Sequence, residues 1–133
     1  MDLSKYRFSE GHIWLTPRTD GNFSLGVSDR VLYDLGELLF IDLPSEGVDI
    51  KKGEKIGEIE AVKAVVELIA PFDGKILEVN EAVVAEPKKA NQDPFGTGYF
   101  LVVALNSSAD YKALMDRDQY DKFVTDLISK RKS

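Results

Sequence analysis

Cysteine is absent from the 133 residues of this chain. That excludes a disulfide framework, a thiolate metal site and a cysteine nucleophile, and it is compatible with a reducing compartment. Histidine occurs once, as His12, so zinc sites built on paired histidines are excluded as well. No apolar run approaches the roughly 20 residues that a membrane-spanning helix needs. Met1–Lys5 also lacks the apolar stretch of a secretory signal. The expected location is therefore the cytoplasm, with no membrane partner. Basic residues are the minority, 17 against 23 acidic ones, leaving a net charge of −6. A polyanion is repelled by such a chain on average, so no nucleic-acid partner is expected.

What is present is ordinary globular material, 44% hydrophobic and 30% charged. It predicts one folded domain over residues 1–133, with a core over about 6–105 and a C-terminal helical segment over about 109–130. Ile13-Trp14-Leu15 and the alternating Phe23, Leu25 and Val27 read as strands around a turn-rich segment, Thr16 to Asn22. Ser28 and Asp29 open a short helix that Gly36 closes. Glu37 to Leu43 is a strand stopped by Pro44. From 45 to 80, regularly spaced Gly and Pro separate short Ile/Val-rich runs, the pattern of a small barrel or sandwich. Val79 to Val84 reads as apolar, turn, apolar, a faint echo of Ile50 to Ile56. Asn91 to Gly98 is a loop by composition, and Tyr99 to Leu105 is a buried strand.

The period then changes. Asp116 and Gln119 have capping-box spacing. Tyr120, Phe123, Val124, Leu127 and Ile128 recur on one helical face, with Asp121, Lys122, Asp126 and Lys130 opposite. This amphipathic helix is expected to lie on the chain's own body, with a frayed polar tail from Ser129 to Ser133.

Chemistry-bearing residues are few. Lys63 is the only lysine between Lys55 and Lys75, set among Ala61, Val62, Ala64, Val65 and Val66. Two local structures compete. Ile56 to Leu68 is either one continuous strand with Lys63 as a plain surface residue, or a hairpin reversing near Val62-Lys63-Ala64. The segment has no Asn-Gly or Asp-Gly, so propensity favours the straight strand. A protruding lysine has a use that needs no catalytic residues: its acylated amine becomes a flexible arm on a rigid mount. His12, beside Trp14, reads as a structural hydrogen-bonding residue. Gly96-Thr-Gly98 lacks the spacing and lysine of a phosphate loop. Val62 and Ala64 replace the methionines that normally flank a biotin-bearing lysine.

Glu60-Ala-Val-Lys63-Ala-Val-Val-Glu67, followed by Ala70-Pro71 and Gly74, resembles the lipoyl-attachment motif of the glycine cleavage system H proteins. Phe8-Ser-Glu-Gly-His-Ile-Trp14, Leu35 to Pro44, Val79-Asn-Glu-Ala82 and Asn91 to Tyr99 resemble other segments of that family in the same order, over about residues 6–128. The resemblance implies a mainly β barrel–sandwich hybrid with short flanking helices and a C-terminal helix. It places Lys63 at a β-turn, against the straight strand. It implies lipoic acid bound covalently to Lys63, a non-catalytic carrier role, and Glu60 and Gly74 as aids to recognition by a lipoate ligase or lipoyl transferase. Glu10, His12 and Glu67 are the expected contacts of the arm.

The implied partners are glycine decarboxylase, aminomethyltransferase and dihydrolipoamide dehydrogenase, served by a monomer. The departures are Ile13 where the family usually has Glu, and Ala61 and Val66 where Ser is usual. They remove polar groups that a cationic aminomethyl cargo would use. A heterodisulfide-reductase-like complex of sulfur oxidation is therefore the alternative host, and an unmodified β-barrel interaction module the alternative class.

Overall fold

The computed structural model describes residues 2–132. Among the described residues nine strands form two antiparallel sheets: β1 (Arg7–Phe8), β2 (Ile13–Pro17), β3 (Phe23–Val27), β4 (Leu38–Asp42), β5 (Asp49–Ile50), β6 (Lys55–Ala61), β7 (Val65–Ile69), β8 (Gly74–Val79) and β9 (Leu101–Leu105). One sheet has six strands in the order β1-β2-β3-β9-β8-β5, and the other has three in the order β4-β6-β7. The expected barrel–sandwich arrangement is observed, as two sheets that do not close on each other. Ile13, Leu15, Leu25, Ile76 and Val103 from the larger sheet meet Leu38, Ile41, Ile59, Ala61 and Leu68 from the smaller in one buried core.

Strand β2 shows why Ile13-Trp14-Leu15 does not alternate with polar residues. All three are fully buried. Ile13 and Leu15 face the main core. Trp14 faces the other way, into a second cluster with Phe8, Tyr120 and Val124. A strand covered on both faces reads as a continuous apolar run.

The cover over Trp14 is the last helix, so this amphipathic segment does pack on its own chain. Helix α5 (Arg117–Lys132) buries Tyr120 and Val124, with Phe123 and Ile128 at the margin. Its start is a reciprocal capping box: Gln119 N–H donates to Asp116 Oδ1 (2.8 Å) and Asp116 N–H to Gln119 Oε1 (2.9 Å). The helix continues through the segment expected to fray, as far as Lys132; Ser133 lies outside the described residues. Helix α4 (Ala109–Lys112) precedes it, and between the two Met115 pairs with Phe8 through N–H···O bonds of 2.8 and 3.0 Å.

Helix α1 (Asp29–Leu35) forms as expected. Ser28 Oγ accepts from Val31 N–H (3.2 Å), and Gly36 closes it at φ 77°, donating to Leu32 O. Left-handed φ is what glycine adopts without strain. Two helices depart from expectation. Helix α2 (Glu81–Ala85) occupies the segment read as turn and strand, and helix α3 (Lys88–Gln92) takes the first two residues of the expected loop. Both are about one turn long, too short for a periodic signal. Burial of Val83 and Ala90, together with the Asn80 amide bonds to Tyr99 O (2.7 Å) and Thr97 O (3.1 Å), holds them in place. No helix among the described residues is long and apolar enough to cross a membrane.

Candidate functional site

Strands β6 and β7 are a hairpin, not one strand. Their register pairs Glu58 with Glu67, Ile59 with Val66 and Glu60 with Val65. Ala61 N–H then donates to Ala64 O (2.9 Å), leaving Val62 and Lys63 as the tip. Propensity favoured the straight strand because it looks for the primed turns, which need positive φ and hence Gly or Asn. Here neither tip residue has positive φ; among the described non-glycine residues only His12 does, at 70°. A turn with negative φ at both positions admits a β-branched Val and a Lys.

The tip is open. Lys63 is exposed and Val62 is 79% exposed. Among the described residues the Lys63 ammonium has no carboxylate within ion-pair distance and no hydrogen-bond acceptor. Its mount is rigid, because the Ile41–Ile59–Val66 row beneath the hairpin packs into the main core.

The opposite face of the three-stranded sheet looks outward. The registers set Phe40, Glu60 and Val65 in the row nearest the tip and Asp42, Glu58 and Glu67 in the next. A bulge between Leu38 and Phe40 lets Leu39 as well as Phe40 reach the surface, at 42% and 66% exposure. Lys55 serves the acidic row: its ammonium is 3.2 Å from Glu58 Oε1, and this hydrogen bond, aided by the charges of Glu67 and Asp42, holds its pKa above the usual lysine range.

The expected site residues fall in different places. Lys63, Glu60 and Glu67 share the hairpin, with Glu60 half-buried and Glu67 exposed. Gly74 is in the other sheet, buried at the start of β8 and paired with Ile50 and Leu105. A Cβ built there would lie 1.9 Å from Ala104 O. Glu10 is exposed on the rim of a cleft of about 270 Å³, shared with Lys52, Pro71, Asp110 and Leu114. Lys52 precedes β6 and Pro71 follows β7, so this cleft is at the end of the hairpin away from Lys63, roughly 20 Å along the strand at its usual rise. Ile13 is fully buried in the main core.

His12 belongs to a network that no sequence pattern announced. Its Nδ1 is 2.8 Å from the Tyr120 hydroxyl, which is 2.5 Å from Ser28 Oγ. Ser28 also caps α1, so three segments distant in sequence meet at one phenol. Burial pushes Tyr120 up to about 12 and holds His12 below its ordinary range, against the opposing pull of Asp34. Arg117 ties the same helices together, with its guanidinium 2.8 and 3.1 Å from the two carboxylate oxygens of Asp29 and stacked over Phe8 and Tyr120. Among the described residues no cluster of three or more His, Asp or Glu is arranged to hold a metal ion.

Three comparisons bear on this arrangement. The family model described as glycine cleavage H-protein matches residues 6–127. A probable glycine cleavage system H protein of Pyrococcus abyssi is 35% identical over 96% of this chain and 99% of its own length. The glycine cleavage system H protein of Rhodospirillum rubrum is 35% identical over 94% of this chain and 99% of its own length. The crystal structure of a glycine cleavage system H protein from Mycobacterium marinum superimposes with a TM-score of 0.77 and 31% identity, covering 88% of this chain and 94% of that one.

Proposed function

This chain belongs to the glycine cleavage H-protein family, and from that premise we propose that Lys63 is the residue that bears its lipoyl group. The family is the lipoyl-carrying component of glycine cleavage, and this protein is such a carrier. The observation that carries the assignment is the lysine's place: exposed at a two-residue hairpin tip, with no partner among the described residues, on strands anchored in the core. An amine so placed fits covalent acylation, since a ligase reaches it without opening the fold.

Held covalently by Lys63, the lipoyl group would supply a redox-active dithiolane at the end of a long arm. The chain's own part is mechanical. The Ile41–Ile59–Val66 row fixes the direction of the hairpin. Val62 and Ala64, small or apolar, place no charge beside the amine. Glu60, next to the tip and half-buried, offers a carboxylate to the enzyme that attaches lipoate. Gly74 aids that recognition indirectly, through the backbone packing of β8 on β9. Glu67, exposed on the same hairpin face, is the carboxylate there that the arm would contact. His12 acts through Tyr120 and Ser28 as a positioning residue for the turn that carries Glu10.

On this reading the carrier catalyses nothing alone. It is a single-domain monomer of the cytoplasm, modified by a lipoate ligase or lipoyl transferase and then visited by glycine decarboxylase, aminomethyltransferase and dihydrolipoamide dehydrogenase. The glycine cleavage relatives weigh against a heterodisulfide-reductase-like host. The test is intact-mass analysis after incubation with lipoate, ATP and a lipoate ligase. One lipoyl increment on the parent and none on Lys63→Arg is expected. An increment that survives Lys63→Arg overturns the assignment.

A further inference from the structure

The outward face and tip of the hairpin end carry apolar side chains that a surface strand would not ordinarily expose together. We propose that Leu39, Phe40, Val62 and Val65, with Glu60 at their centre, form a docking collar for an arm-using enzyme whose active-site mouth has an apolar rim and a flank of lysine or arginine. The inference rests on Lys63 being the arm's attachment point.

The collar follows from the sheet geometry. Phe40, Glu60 and Val65 are cross-strand neighbours on one face. The bulge turns Leu39 out beside Phe40. Val62 projects from the tip itself. Their exposures are 42% for Leu39, 66% for Phe40, 79% for Val62 and 53% for Val65. Scattered single apolar residues need no explanation, but a contiguous group does. Apolar anchors inside a polar rim are the usual make-up of a protein–protein interface.

Two observations choose the occupant. The patch is continuous with Lys63, and an arm starting there enters a partner's active site only if the partner's surface closes on this end of the sheet. The flank is acidic, with Asp42, Glu58 and Glu67 in the adjoining row and Lys55 as their cation. A second copy of this chain would bring the same charge sign to the contact, whereas a basic flank complements it.

The test measures binding of the unlipoylated protein to glycine decarboxylase by isothermal titration calorimetry, so it does not depend on turnover. Phe40→Ser combined with Val65→Thr is expected to raise Kd about tenfold, the scale of an interface anchor. Val48→Ser, at 42% exposure and away from the hairpin, is expected to leave Kd within about twofold. Val62→Ser is the second variant should the double change impair folding, because a 79% exposed tip side chain contributes little to the core. Glu67→Lys is expected to weaken binding at low salt and to flatten its salt dependence. Folded collar variants that bind as tightly as the parent overturn the collar, and a Glu67→Lys carrier with unchanged Kd overturns the basic flank. A dimer by light scattering that Phe40→Ser dissociates reassigns the face to a second copy and overturns the proposal. Failure of the underlying reading is seen separately, as a lipoyl increment located elsewhere than Lys63, and it removes this inference with it.

Discussion

Replacing Gly74 by Ala separates a steric role in the six-stranded sheet from direct recognition by the enzyme proposed to modify Lys63. A Cβ at this position lies 1.9 Å from the carbonyl oxygen of Ala104 and 3.1 Å from the Phe72 ring. Carbon and oxygen sit comfortably at about 3.3 Å or more, so β8 and β9 must part locally by roughly 1.4 Å. Overpacking of this kind costs about 1–3 kcal/mol. The movement also stretches ladder bonds near the Gly74–Leu105 pair, each worth about 1 kcal/mol net. The expected loss is about 3 kcal/mol, read as a lowered urea midpoint at unchanged slope, with a fall in Tm on the order of 10 °C for a chain of this size.

Gly74 is buried in the six-stranded sheet, and Lys63 stands at the tip of the other. Its effect on modification should therefore follow the folded fraction. Well below the variant's midpoint, the lipoylation kcat/KM of Gly74→Ala should be within about threefold of the parent, a difference below 1 kcal/mol. A variant as stable as the parent refutes the steric argument. A fully folded variant that the ligase ignores shows that the enzyme reads this position directly.

Glu60→Gln should lower lipoylation kcat/KM about tenfold, which is about 1.4 kcal/mol, and leave the urea midpoint within about 0.5 kcal/mol of the parent; equal lipoylation rates would remove Glu60 from the recognition surface. Tyr120 sets an alkaline limit. Its native pKa of about 12 exceeds the unfolded value near 10, so its contribution is complete below pH 10 and is lost as pH rises to about 12, on the order of 3 kcal/mol in all. Tyr120→Phe should lose about 1–2 kcal/mol at neutral pH through its bonds to His12 and Ser28, and its stability should fall less steeply than the parent's between pH 10 and 12; parallel curves from urea titrations would contradict this. Arg117→Met and Asp29→Asn, singly and together, should show a coupling energy of about 1 kcal/mol for the forked ion pair between α5 and α1, and a cycle that closes to zero would deny that the pair helps hold the C-terminal helix.

The local code of this chain was legible where a short motif suffices. Asp116 with Gln119 marked the start of α5, Ser28 and Gly36 bounded α1, and alternating Phe23, Leu25 and Val27 marked β3, because caps and periods act within a few residues. The one-turn helices α2 and α3 were not legible, since Val83 and Ala90 form them by packing against residues far along the chain. The hairpin at Lys63 was legible only through resemblance to a family. Composition opposed it, because the turn avoids positive φ and so needs none of the residues that announce a turn. Sequence alone therefore determined which side chains are available: one lysine in an uncharged setting, no thiol, one imidazole. Tertiary structure decided their meaning, since the pairing of β6 with β7 stands Lys63 clear of the body, the register gathers Phe40 and Val65 beside it, and the docking of α5 brings Tyr120 to His12. The last two join residues tens of positions apart, beyond the reach of any local energy term, and the hairpin itself is fixed by strand pairing that its turn residues do not announce.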